Sequence, residues 1–242
     1  MIPWKLLEEA PVPGGEDSLR LYQRGQEFSI RVGRQELMNS RVYGSEDALA
    51  ELACAPLADS KHPEVLIGGL GMGYTLAAAL RVLGPGARLV QSELVAAVVR
   101  WNRGPLGEVA GRPLQDARVV VVERDVGELM VAADGRYDAI LLDVDNGPEG
   151  LSRAQNDRLY ASAGLSDARR ALKPGGAVWF WSAGDRPGFA SRLRRARFEV
   201  REHRVRARGR RRGAHHLLWE ARRPPRDQSS PSRRMSSSSK LK

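Results

Sequence analysis

Residues 64–93, EVLIGGLGMGYTLAAALRVLGPGARLVQSE, constrain this chain more than any other stretch. The apolar run Val65-Leu66-Ile67 reads as a buried parallel strand. Gly68, Gly69, Gly71 and Gly73 follow, and the small residues after them predict a helix over 74–83, which Gly84-Pro85-Gly86 stops. A second strand over 87–92 leads to Glu93. Strand, glycine turn, helix, strand and acid is the layout of a nucleoside-binding crevice in an open α/β sheet. The glycines let the backbone approach a ligand closely, and an acid about 20 residues on can accept both ribose hydroxyls.

The spacing indicates which nucleoside. A dinucleotide fingerprint G-x-G-x-x-G begun at Gly69 needs a small residue at 74, where Tyr74 stands. The glycines instead read G-x-G-x-G (Gly69, Gly71, Gly73), which is similar to motif I of the S-adenosylmethionine-dependent methyltransferase fold. A glycine turn without a ligand is the competing reading, and the acid and both strands in register weigh against it.

The rest of the chain supplies the frame. Residues 1–16 read as a Pro/Gly-rich lead-in, and 17–43 as a small N-terminal β unit with a hairpin around Gly25-Gln26. Residues 44–222 form the main domain. Its first helix starts at Ser45, has Asp47 in its first turn and runs to about 57. After Glu93 the expected elements are a helix over 95–101, a third buried strand over 118–122 and a helix over 126–133. The fourth strand, 137–142, ends in Asp143-Val-Asp145-Asn146. An amphipathic helix over 159–172 turns at Lys173-Pro-Gly-Gly176 into the fifth strand, 177–181, and Asp185 caps a further helix. A hairpin pairs 198–208 with 215–221. Repeated βα units closed by an antiparallel hairpin predict an α/β chain, a Rossmann-like seven-stranded methyltransferase fold with a small N-terminal β unit. Residues 223–242 are too poor in apolar side chains to pack and are expected to be a disordered basic tail.

Charge and cysteine narrow the partners. The net charge of +10 comes from 201–213 and 222–242, each carrying seven basic residues against one acid. The remainder is close to neutral, and aromatics interleave poorly with the arginines, so support for nucleic-acid binding is weak. The single cysteine, Cys54, excludes an intramolecular disulfide and fits a reducing cytoplasm, with packing as its role. No signal peptide is expected from the first residues. The longest charge-free run, 65–80, is short for a membrane span and broken by glycines. His215-His216 has no cluster of further ligands at metal spacing, so no metal is expected.

Residues 19–200 resemble the spermidine/spermine synthase (aminopropyltransferase) family. The resemblance rests on the N-terminal β unit, the strand running into V-L-x-x-G-G-x-G and the strand ending in Glu123-Arg124-Asp125. It rests also on Tyr137-Asp-Ala-Ile-Leu-Leu-Asp143, and on Leu159-Tyr160 with Ala171-Leu-Lys-Pro-Gly-Gly176. It implies a cytoplasmic transferase that moves an aminopropyl group from decarboxylated S-adenosylmethionine to a small amine such as putrescine. Gly69, Gly71, Gly73 and Glu93 would then hold the nucleoside, and Asp125 the adenine amino group. Asp143 would be the catalytic carboxylate, with Asp145 as the second. Tyr160 and Asn146 would line the amine pocket. Family members are commonly dimers or tetramers, so a homo-oligomer is implied, a dimer in the first instance.

The chemistry requires such carboxylates. An ammonium ion has no lone pair, so a carboxylate must accept its proton before the amine can attack a sulfonium carbon. A buried ammonium also needs paired charge. The chain departs from the family at Met72, where an aspartate is usual, at Asn146, where a second acid is usual, and at Tyr43-Gly44-Ser45-Glu46, which lacks a histidine. These departures keep two other readings open. One is an S-adenosylmethionine-dependent methyltransferase acting on a small molecule or RNA. The other is a non-catalytic nucleic-acid-binding protein on the same fold.

Overall fold

The computed structural model describes residues 2–13, 17–144, 154–184, 187–207 and 215–225. Asp145, Asn146, Asp185 and the tail beyond 225 therefore lie outside the described residues. Four antiparallel strands come first: β1 (Lys5–Pro11), β2 (Ser18–Arg24), β3 (Glu27–Val32) and β4 (Gln35–Asn39), in that spatial order. The first is a correction, because Lys5–Pro11 falls in the segment read as a lead-in, yet Lys5 pairs with Gln23 and Pro11 with Ser18. A bulge between Leu6 and Glu8 breaks the two-residue alternation that would have betrayed the strand.

Helix α1 (Gly44–Cys54) then leads into the βα series. This runs β5 (Glu64–Gly68), α2 (Tyr74–Val82), β6 (Arg88–Ser92), α3 (Ala96–Arg103), β7 (Val119–Val122), α4 (Val126–Val131) and β8 (Tyr137–Leu142). It continues with α5 (Ala154–Tyr160), α6 (Ser162–Ala171), β9 (Leu172–Ser182), α7 (Phe189–Arg195), β10 (Glu199–Arg206) and β11 (His215–Arg222). The strands form one seven-stranded sheet in the order β10-β11-β9-β8-β5-β6-β7. β5 to β9 are parallel, and β11 runs antiparallel to both β9 and β10. The chain moves outward from β5 through β6 to β7 and then returns to lay β8 on β5's other side. The topological switch point therefore falls between β5 and β8, where an open α/β sheet opens its ligand crevice.

Strand alternation distributes the core over two faces. Val65 and Ile67 pack with α1, α2, α3 and the N-terminal sheet, while Leu66 points to the layer of α4, α6 and α7. The N-terminal sheet is fastened to the core by Glu8, which accepts hydrogen bonds from the Arg100 guanidinium (2.6 Å) and the Trp101 indole (2.8 Å). Tyr43 also stacks on Tyr74, with ring centroids 4.3 Å apart.

Three details differ from the sequence reading. The third strand is not buried: β7 lies at the sheet edge with a neighbour on one side only, and Val120 is exposed. The helix expected over 159–172 is two, because Ala161 is extended (φ −77°, ψ 163°) and separates α5 from α6. Lys173-Pro-Gly-Gly176 does not turn the chain into the strand but belongs to β9, where the pairing register with β8 shifts between Tyr137 and Ala139. No helix among the described residues is long and apolar enough to cross a membrane.

Candidate active site

A cavity of about 310 Å³ lies at the carboxyl ends of β5, β6 and β8, with the N-terminal sheet as its outer wall. Leu19 and Ile30 line it from β2 and β3, and Gly69, Gly71, Glu93, Asp125 and Asp143 from the core sheet. The strand ends of the seven-stranded sheet and helix α1 supply most of its acids, and the small sheet much of its apolar surface.

Backbone proximity explains the glycine turn. Gly69 is left-handed (φ +87°), and a Cβ there would stand 2.2 Å from the Asp143 carbonyl oxygen. At Gly71 (φ +51°) a Cβ would meet the Met38 sulfur at 2.7 Å. Gly73 does not line the cavity; it closes the turn by donating to the Leu70 carbonyl (2.7 Å) and precedes α2 as its cap. Met72, in the same turn, is fully buried and does not line the cavity.

Glu93 ties this turn to the end of β6. One carboxylate oxygen accepts the Leu70 N–H (2.9 Å) and the other the Val95 N–H (2.8 Å), so the acid is held rigidly at the cavity wall. Buried Gln91 donates to the Gly69 carbonyl (2.9 Å) from beneath. Asp125 caps α4 by accepting from the Gly127 N–H (2.7 Å) and pairs with Arg158 at 2.7 Å. Both contacts orient it at the rim.

Asp143 stands beside the switch point. Its N–H continues the β8–β5 ladder to the Gly68 carbonyl (2.9 Å), and its side chain accepts from the Thr75 hydroxyl (2.6 Å). Facing it is Glu46, in the first turn of α1, which also lines the cavity. Glu46 is only 8% exposed. Burial, and then the negative charge of Asp143, push its carboxyl up to about 7. The Ser45 hydroxyl donates to Glu46 (2.5 Å), and the Ser45 oxygen lies 2.9 Å from Nδ1 of His216 on β11. Burial holds the His216 imidazole below its ordinary value. Trp181 of β9 meets the His216 ring edge-on at 4.7 Å, and both residues line the cavity.

The fold therefore brings Gly69, Gly71, Glu93, Asp125 and Asp143 to one cavity. It does not bring Tyr160 there: that residue is buried between Phe180 and Phe189, with ring centroids 5.7 and 5.8 Å away, and its neighbour Leu159 lines the cavity instead. Asp145 and Asn146 lie outside the described residues. Sequence reasoning missed Glu46, His216 and Trp181 as site residues. The available signals were an acid in the first turn of the entry helix and a histidine running into the apolar stretch Leu217-Leu218-Trp219. Among the described residues, no three His, Cys, Asp or Glu side chains gather as a metal site would require.

No protein-family sequence model matches the chain, and no curated protein matches it in sequence. In structure it is similar to spermidine synthase from Thermotoga maritima, at 15% identity and a TM-score of 0.71, over 90% of this chain and 72% of that one. A spermidine synthase in complex with the transition-state analogue AdoDATO is similar at 16% identity and a TM-score of 0.73, over 90% and 73% of the two chains. The 1,6-didemethyltoxoflavin-N1-methyltransferase of Burkholderia thailandensis, with bound S-adenosylhomocysteine, is similar at 20% identity and a TM-score of 0.51, over 75% and 79%. At these identities the likeness establishes the fold, the Rossmann-like seven-stranded methyltransferase sheet preceded by a small β unit.

Proposed function

We propose that this chain is a spermidine synthase-like aminopropyltransferase that uses decarboxylated S-adenosylmethionine as co-substrate and a small amine such as putrescine as acceptor. The observation that carries this reading is the meeting of two carboxylates, Glu46 and Asp143, in one cavity beside the glycine turn. A site for a neutral or anionic acceptor gains nothing from two acids placed to repel each other, whereas a site for an ammonium ion needs them. The solved spermidine synthases of the same fold support it further.

The co-substrate supplies a sulfonium whose propyl carbon is open to attack. Every other task falls to the protein. Gly69 and Gly71 admit the donor's backbone contacts, Glu93 accepts from the ribose hydroxyls, and Asp125 meets the adenine edge. Asp143 holds the acceptor ammonium and, with Glu46, brings it to the neutral amine that can attack. In the proposal Asp145 adds a carboxylate to this end and Asn146 a neutral amide, and Tyr160 contributes by packing behind Leu159. The N-terminal sheet excludes water from the reacting atoms. We extend the reading to a homodimer in the cytoplasm, the former testable by light scattering.

A second reading is methyl transfer from S-adenosylmethionine itself. The observation favouring it is Met72, which leaves the glycine turn without a carboxylate to repel that of the unmodified cofactor. The deciding experiment is a mass-spectrometric turnover assay offering each cofactor separately with a panel of diamines. Methylthioadenosine with an aminopropylated amine is the expected result, and S-adenosylhomocysteine would replace the first reading by the second.

A further inference from the structure

Glu46, Ser45 and His216 form a continuous hydrogen-bonded line along the cavity wall. Ser45 is fully buried, so its single hydroxyl proton can serve only one neighbour at a time. When it is donated to Glu46, the imidazole must present Nδ1–H to the Ser45 oxygen. When Glu46 is protonated and donates to that oxygen, the hydroxyl is released to point at an unprotonated Nδ1. The line therefore has two arrangements that differ in where the proton sits.

We infer that Glu46, Ser45 and His216 are a proton relay that removes the proton lost by the acceptor nucleophile. This rests on the proposed transfer of an alkyl group from a sulfonium to an amine. In that reaction an ammonium and a sulfonium give an alkylated ammonium, a neutral thioether and one proton, and the proton must leave the reacting nitrogen. Glu46 takes it from the acceptor nitrogen. The Glu46 O–H passes its proton to the Ser45 oxygen as the Ser45 hydroxyl proton passes to His216 Nδ1. The imidazolium then gives up its Nε2 proton at the half-buried ring, so one proton enters and one leaves, and the neutral ring returns to its Nε2–H tautomer by exchange with water before the next proton passes. Asp143 keeps its place opposite Glu46 as the counter-charge of the amine.

The groups around the line suit this passage. Asp143 faces Glu46 from the end of β8 and favours its protonated form, as does Asp47 on the same helix, itself paired with Arg81 of α2 at 2.8 Å. From α2, Tyr74 is spent on the Ser40 carbonyl (3.0 Å). From β10, His203 lies 3.2 Å from Glu220 of β11 and meets Trp179 with the rings tilted, two residues along β9 from the Trp181–His216 contact. Buried Trp181 leans on the imidazole and restrains its ring.

The test is an imidazole ¹⁵N NMR titration of the full chain, with the His216 signal assigned by His216→Gln, alongside single-turnover kinetics. In the wild type the His216 signal is expected to carry a second step near pH 7 as Glu46 ionises, and Glu46→Gln is expected to remove that step. Ser45→Ala is expected to lower kcat about tenfold or more with the cofactor Kd unchanged. A His216 titration that ignores Glu46→Gln overturns the relay, whatever the turnover. So does a Ser45→Ala protein that turns over as fast as the wild type. If neither cofactor reacts and the titrations are still linked, the proposed transfer fails while the coupled proton line stands.

Discussion

Replacing Glu46 by Gln should flatten the way this protein's stability depends on pH. Glu46 has its folded-state value raised from 4.5 to about 7 by burial and by Asp143. Between those two values the folded state binds a proton that the unfolded state has released, so stability falls as pH rises through the window. At about 1.4 kcal/mol per pH unit, the full displacement corresponds to about 3 kcal/mol lost between pH 4.5 and 7. That loss persists at higher pH, where the buried carboxylate must be charged. A glutamine side chain in its place has the same size and no charge, so this component of the dependence should vanish. The net gain at pH 8 will be smaller by about 1 kcal/mol for an altered hydrogen bond to Ser45. Urea denaturation of both proteins at pH 5 and pH 8 measures this directly, and comparing them cancels the titration of every group not coupled to Glu46. Should the wild type lose no more stability than Glu46→Gln over that interval, Glu46 is not a buried acid facing Asp143, and the electrostatic account of the cavity is wrong.

Asp143→Asn should abolish turnover with little effect on cofactor affinity measured by calorimetry; equal loss of both would remove its assignment to the amine. Gly69→Ala should cost about 2 kcal/mol or more in thermal unfolding, because its Cβ has no room beside the Asp143 carbonyl and its backbone is left-handed. Unchanged melting would mean that β5 and β8 do not approach as described. Cys54 is buried, and burial pushes its thiol up to about 12, so the native protein should resist thiol reagents until denaturant is added.

The glycine-turn half of the cavity was readable because it is local. The strand, the glycine turn, α2, β6 and Glu93 lie within thirty consecutive residues, and each contact there follows from backbone geometry over short separations. The same locality made Asp143 legible, since it ends a strand whose apolar run announces it. The half around Glu46 was harder to read for the opposite reason. Ser45 and His216 stand 171 positions apart, and nothing in either neighbourhood signals the other. Glu46 looked like an ordinary first-turn acid, which a helix N-terminus favours anyway. Tyr160 was drawn toward the site by its motif, yet the break at Ala161 leaves it among Phe180 and Phe189 instead.

By itself, the order of apolar runs, glycines and acids determined the parallel sheet, its antiparallel closing hairpin and the glycine-turn end of the crevice. These depend on period, turn chemistry and strand endings, all written along the chain. Only the tertiary structure decided that β1 joins the N-terminal sheet, that this sheet walls the cavity, and that Glu46 meets Asp143 in a buried setting. Burial and charge proximity are properties of residues distant in sequence and adjacent in space, and it is they that turn a common glutamate into one that titrates near neutral pH.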